Sequence, residues 1–177
     1  RWERLFADLD AQADNAERLA LDAEVAERTR TERGRIRLSD RLRAAEDPIT
    51  VRIGGDLIRG RVLDVGPDWV LLALSDPPVT EILVATAAIQ AIDGLTMRAQ
   101  EPGSAGPVAE RLDLRHVLRS LVRDREPVIL ATADGSMLRA RLDRIGADHL
   151  DLTPLDTGDG SASRLVPFTA IATVRRD

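Results

Sequence analysis

Few side chains in this sequence could do chemistry. Its 177 residues include two histidines, His116 and His149, no cysteine and no tyrosine, and all 25 basic residues are arginine. Without lysine there is no Schiff-base amine and no Walker-type phosphate loop. Without cysteine there is no thiolate nucleophile, no disulfide and no Cys-based zinc site. The histidines stand at unlike places, His116 in a helical pattern and His149 in a strand-like one. No His-x-x-x-His, Gly-x-Ser-x-Gly or Asp-rich calcium loop accompanies them. The 30 acidic residues are scattered. Catalysis needs convergent second and third groups, so the expectation is a non-enzymatic protein with no catalytic residues, no metal and no cofactor.

The net charge of −5 argues against binding nucleic acid through bulk electrostatics, and no segment forms a basic tail. No apolar run approaches the roughly 18 residues that a membrane span needs, and no positively charged start leads into an apolar signal region. A cytoplasmic protein without a membrane partner is expected. The chain is 44% apolar, with Trp2, Phe6, Trp69 and Phe168 its four aromatic residues, so the core should be aliphatic, Phe168 included in it. Arginine to the exclusion of lysine, beside abundant alanine, points to a GC-rich, actinobacterial genome.

The elements that position these residues are read from an internal comparison. Ile58–Leu72 aligns with Leu138–Leu152 at a constant offset of 80, and the match extends from Leu38 and Leu114 through Ile89 and Ile171 with small drifts in the loops. A tandem duplication is inferred. In each half a short helix comes first. Ser39 and Asp40 can open one that runs to about Ala45 with Leu38 and Leu42 inward, and Leu114, Val117, Leu118, Leu121 and Val122 give the other an apolar face. Pro48 and Pro127 stop these helices. The strands expected next are Ile49–Ile53, Leu57–Val65, Trp69–Leu74 and a broken run over Glu81–Ile92, with turns at Gly54-Gly55-Asp56, Asp134-Gly135, Gly66-Pro67-Asp68 and Gly146-Ala147-Asp148. About five short strands can bury both ends of their sheet by curling into a small barrel. A small, partly open barrel leaves ladder groups unpaired, and a fused pair could satisfy one such edge within the chain as a pseudo-dimer.

The residues Val51-x-Ile53-Gly54-Gly55-x-x-Ile58-x-Gly60-x-Val62-x-x-Val65-Gly66-x-x-Trp69-Val70-Leu71-Leu72, followed by Val84-x-x-x-Ala88-Ile89-x-x-Ile92, resemble the Sm-like fold that includes bacterial Hfq. Other SH3-like small barrels share the glycine-and-turn pattern. The resemblance covers Leu38–Asp93 and Leu114–Asp177. It implies two five-stranded barrels (35–95 and 110–177), each preceded by a short helix; with a long N-terminal helix (1–34) and a linker (96–109) read from composition, the expected fold is mainly β with added α. The family's RNA-binding groups do not carry over. The asparagine expected before the third strand is absent from Gly66-Pro67-Asp68-Trp69-Val70. The Tyr-Lys-His run is replaced by Ala85-Thr86-Ala87 and Pro167-Phe168-Thr169. A stacking aromatic beside a cationic donor is what grips a single-stranded base, so RNA is a disfavoured partner.

Protein contact is the favoured reading. Simple alternation puts Trp69, Leu71 and Ala73 outside the first barrel, where the second has His149, Asp151 and Thr153. An apolar outer face around a tryptophan lies under another part of the chain or under a partner. Trp2, Leu5, Phe6 and Leu9 supply further interface candidates on a helix expected from Arg1 to about Arg33. There Leu5, Leu9, Gln12, Ala16, Leu19, Ala23 and Ala26 trace a heptad seam weakened by alanine. Arg59, Arg61, Arg139 and Arg141 fall on outward positions of the second strands and are the candidates for phosphate contact, with pairing to Asp64 and Asp143 as the plainer role. Gln100–Pro107 has the composition of a linker, and Asp156–Ser163 that of a mobile hairpin loop rather than a phosphate cradle. The expected function is therefore a protein-interaction or assembly module, self-association included. The alternative is an RNA-binding regulator that uses the four arginines.

Overall fold

A computed structural model of the chain describes residues 18, 21–75, 80–156 and 162–177. Two compact units are distinguished, Arg1–Ile36 and Arg37–Asp177. In the first, residues 21–35 are helical (α1). Glu24 and Arg28 pair at 2.8 Å and Glu27 and Arg30 at 3.2 Å, one helical turn apart on exposed surface. Trp2, Leu5, Phe6 and Leu9 lie outside the described residues.

The second unit runs α2 (Leu38–Arg43), β1 (Ile49–Ile53), β2 (Asp56–Val65), β3 (Trp69–Leu74), β4 (Glu81–Ala85) and β5 (Ala91–Asp93). It continues through α3 (Gly106–Ala109), α4 (Leu114–Asp124), β6 (Pro127–Thr132), β7 (Met137–Ile145), β8 (His149–Pro154), β9 (Arg164–Pro167) and β10 (Ile171–Arg176). Gly54 (φ 57°) and Gly135 (φ 88°) make the hairpin turns in the left-handed conformation that glycine adopts at little cost. Single 3-10 turns, Thr86–Ala88 and Phe168–Ala170, break the last apolar run of each half into two strands.

The expected tandem of five-stranded barrels is corrected by the strand order. All ten strands form one open antiparallel sheet, β5-β1-β2-β3-β4-β10-β6-β7-β8-β9. The physical reason lies at the outer edge of β4. Its ladder groups bond β10 of the other half, with Val84 opposite Thr173, Leu83 opposite Val174 and Ile82 opposite Arg175. The sheet therefore continues where a barrel would have closed. Of the helix expected over 1–34, residues 18 and 21–34 are described and helical, and its other positions lie outside the described residues.

Within each half the register is the same. Ile49 faces Gly60 as Val128 faces Ala140, and Val51 faces Ile92 as Leu130 faces Val174. A bulge falls between Val62 and Asp64 and again between Leu142 and Arg144. Two aliphatic cores result, and the paired strands β4 and β10 feed both of them. Ile82 and Val84 point into the first core with Ala172, whereas Leu83 and Ala85 point into the second with Ile171 and Val174. Alternation along a strand supplies both faces at once.

Candidate functional site

The β4–β10 junction joins the two halves of the sheet. Trp69, at the start of β3, is 5% exposed and belongs to the core of the second half, together with Leu83, Leu114 and Leu118. Its indole Nε1 donates to the Leu112 carbonyl at 2.7 Å. A buried indole N–H needs such a partner, and this one ties β3 to the segment that leads into α4. Of the two covers considered for Trp69, the intramolecular one is present, so the indole is not available to an outside partner. Leu71 is partly buried against the same core.

Asp68 completes the lock. Its Oδ1 accepts from the Leu114 backbone N–H at 2.8 Å, and Asp113 caps the same helix by accepting from His116 N at 2.9 Å. The first turn of α4 is thus held by one carboxylate from each half, at a helix end whose N–H groups would otherwise lack partners. Burial raises the Asp68 carboxyl above its ordinary range; the Leu114 N–H opposes this, and the nearby Asp113 charge adds to it. The folded form therefore holds a proton more tightly than the unfolded chain does. The contribution of Asp68 to stability then falls as pH rises from the ordinary carboxylate range through the raised value. Asp68→Asn, which keeps the acceptor without the charge, is expected to flatten that flank of the stability-against-pH curve. Asp68→Ala, which orphans the Leu114 N–H, should cost about 1–2 kcal/mol in urea unfolding.

Among the described residues β5 bonds β1 and β9 bonds β8, and no further strand pairs with either, so each end of the sheet presents an open edge there. Leu165 on β9 is 57% exposed and Leu38 on α2 is 41% exposed. The inward placement expected for Leu38 is thereby corrected. Helix α2 starts from Arg37, whose backbone N–H donates to Asp40 at 2.9 Å, and it buries Leu42 instead.

No protein-family model, curated protein or solved structure matches this chain.

The four arginines are exposed, but the structure does not gather them into a common cleft. Arg139 donates to Asp177 at 2.6 Å and lies 3.8 Å from Asp156, and Arg141 pairs with Asp143 at 3.3 Å. Arg59 and Arg61 are exposed on β2. His149 Nδ1 is 2.8 Å from Asp148, and that hydrogen bond holds the Asp148 carboxyl below its ordinary range. Among the described residues no group of three or more His, Cys, Asp or Glu side chains could hold a metal, and no helix is long and apolar enough to cross a membrane. Sequence reasoning passed over the roles of Asp68 and Leu165 and misplaced Leu38. Alignment of the halves does not single them out, because each repeats its counterpart, Asp148, Leu83 and Leu114, and differs only in its surroundings.

Proposed function

We propose that this protein is a non-enzymatic assembly module that takes protein partners on the ends of its sheet. One observation carries the reading: among the described residues both end strands, β5 and β9, leave a ladder edge open, with exposed leucines beside them. An edge strand is a template for another strand unless something blunts it. The β4–β10 pairing is an example of such a join inside the chain. Kinship with Sm-like or other SH3-like proteins belongs to this proposal as ancestry, supported by the quoted sequence pattern and the shared register of the halves. A cytoplasmic location belongs to it as well.

RNA binding through Arg59, Arg61, Arg139 and Arg141 has less support, because Arg139 and Arg141 are already engaged by Asp177 and Asp143. A mixed single-stranded RNA pool should show no binding at low salt, where phosphate contacts are strongest. Light scattering of the full chain should give a mass above the 19.3 kDa of one chain, rising with concentration. A single-chain mass at every concentration up to the solubility limit overturns the assembly reading.

A further inference from the structure

The two halves meet a second time, away from the β4–β10 ladder. The β1–β2 hairpin of the first half comes up against the β6–β7 hairpin of the second, so that a methyl group placed on Gly54 would lie 3.7 Å from the Ala133 carbonyl oxygen. Between the hairpins runs a groove of about 270 Å³. Ile53 and Leu57 line it from the first hairpin, Ala131 and Met137 from the second, and Ile82 and Arg175 from β4 and β10.

The apolar lining is not a property of the repeat. Thr50 faces Arg59 as Ile129 faces Arg139, and Arg52 faces Leu57 as Ala131 faces Met137. The positions that are Thr50 and Arg52 on β1 are thus Ile129 and Ala131 on β6, where both line the groove. Polar outer positions of one half are apolar in the other, at the place where the halves enclose a space. The rim also keeps two large apolar side chains in water, Leu57 at 59% exposure and Met137 at 73%. Apolar surface gathered around a concavity is the usual form of a ligand site.

Arg175 gives this groove its chemical preference. It is half-buried on β10, and the residue opposite it on each flanking strand is an isoleucine, Ile82 on β4 and Ile129 on β6. Arg139, Arg141 and Arg176 of the same half each have a carboxylate partner. Among the described residues Arg175 has none. A half-buried cation against aliphatic side chains is poorly compensated, and the guanidinium fork matches a carboxylate. Asp56 is the one acid of the lining; it is exposed, and no ion pair joins it to Arg175.

We propose that the groove binds a small aliphatic carboxylate, of the class of a short fatty acid, with its head group on Arg175 and its chain along Ile53, Ile82 and Ile129. The site is separate from the sheet ends and does not depend on the assembly reading. Its volume is at the small end for ligand pockets, which limits the chain to a short one. Each added methylene should tighten binding about two- to fourfold until the groove is full.

The protein carries its own probes. Its two methionines are Met137 on the rim and Met97, which is 81% exposed and outside the groove. With isotope-labelled methionine methyls, octanoate should move the Met137 resonance saturably, with a dissociation constant of about 0.1–1 mM, and leave Met97 in place. Octanol and octylamine have the same chain without a carboxylate, and should bind about tenfold more weakly. In calorimetric titrations Arg175→Gln should weaken octanoate binding about tenfold. Met137→Asp, which sets an anion at the rim, should weaken it as well, and Arg59→Gln, outside the groove, should leave it unchanged. None of the three side chains is fully buried, so melting curves should stay close to the parent's. Movement of Met97 together with Met137, or no movement of either up to about 10 mM, would overturn the site. Octanol bound as tightly as octanoate, or an unchanged affinity in Arg175→Gln, would overturn recognition of the carboxylate.

Discussion

Trp69→Ala should lower the unfolding free energy by about 3–5 kcal/mol, the usual range for deleting a large buried aromatic, and should be the most damaging single substitution in the sheet. The indole is 5% exposed in an aliphatic core, and its removal leaves a cavity between β3, β4 and α4. It also leaves the Leu112 carbonyl without its donor. Trp69→Phe separates the two effects, because it keeps most of the apolar volume and loses only the hydrogen bond. It should cost less, with about 1 kcal/mol of its deficit due to the bond. His149→Ala is the internal control. The same backbone position in the second half carries a partly exposed ring, and a surface truncation there should fall within about 0.5 kcal/mol. Urea midpoints compare the three. A Trp69→Ala cost near that of His149→Ala would show that the indole does not hold the halves together.

Much of the fold was legible because each half is built from local signals. Pro48 and Pro127, the hairpin glycines and the alternating runs marked β1 and β3 at their observed ends and β2 within one residue. The break between β4 and β5 was visible as well. The connection between the halves was not legible in the same way. Barrel closure and sheet continuation use identical backbone groups on β4, and alternation says only that its edge must pair, not with which strand. What decided the matter was long-range: Leu83 and Ala85 enter the core of the other half. The apolar outer face of β3 was correctly seen as needing a cover, yet pattern alone could not choose between a partner and the chain itself. Leu38 shows the reverse error. Helical spacing put it inward, but Leu38 lines an open groove with Ile89, Ile92 and Leu95, whereas the same spacing in α4 is satisfied because Trp69 and Leu83 share a core with Leu114.

Gly66→Ala should be nearly as costly as loss of the indole itself, and for a related reason. A methyl group at Gly66 would collide with the Trp69 ring, and one at Gly146 with the His149 ring. Both halves therefore lay an aromatic ring over a glycine in the turn before the third strand. The consequences differ with what surrounds each ring. The His149 side chain is partly exposed and can swing toward solvent, so Gly146→Ala should cost less than about 1 kcal/mol. Trp69 is walled by Leu83, Leu114 and Leu118 and fixed by its bond to Leu112, so relief must come from off-rotamer strain or backbone shift. Overpacking of that kind costs about 1–3 kcal/mol, and the bond to Leu112 is lost besides. The two effects should not add. Once Trp69 is alanine, the space its ring filled accepts the methyl group, and Gly66→Ala on that background should cost only a few tenths of a kcal/mol. A full-sized penalty in the double variant would place the requirement for glycine in the turn backbone and not in the ring above it.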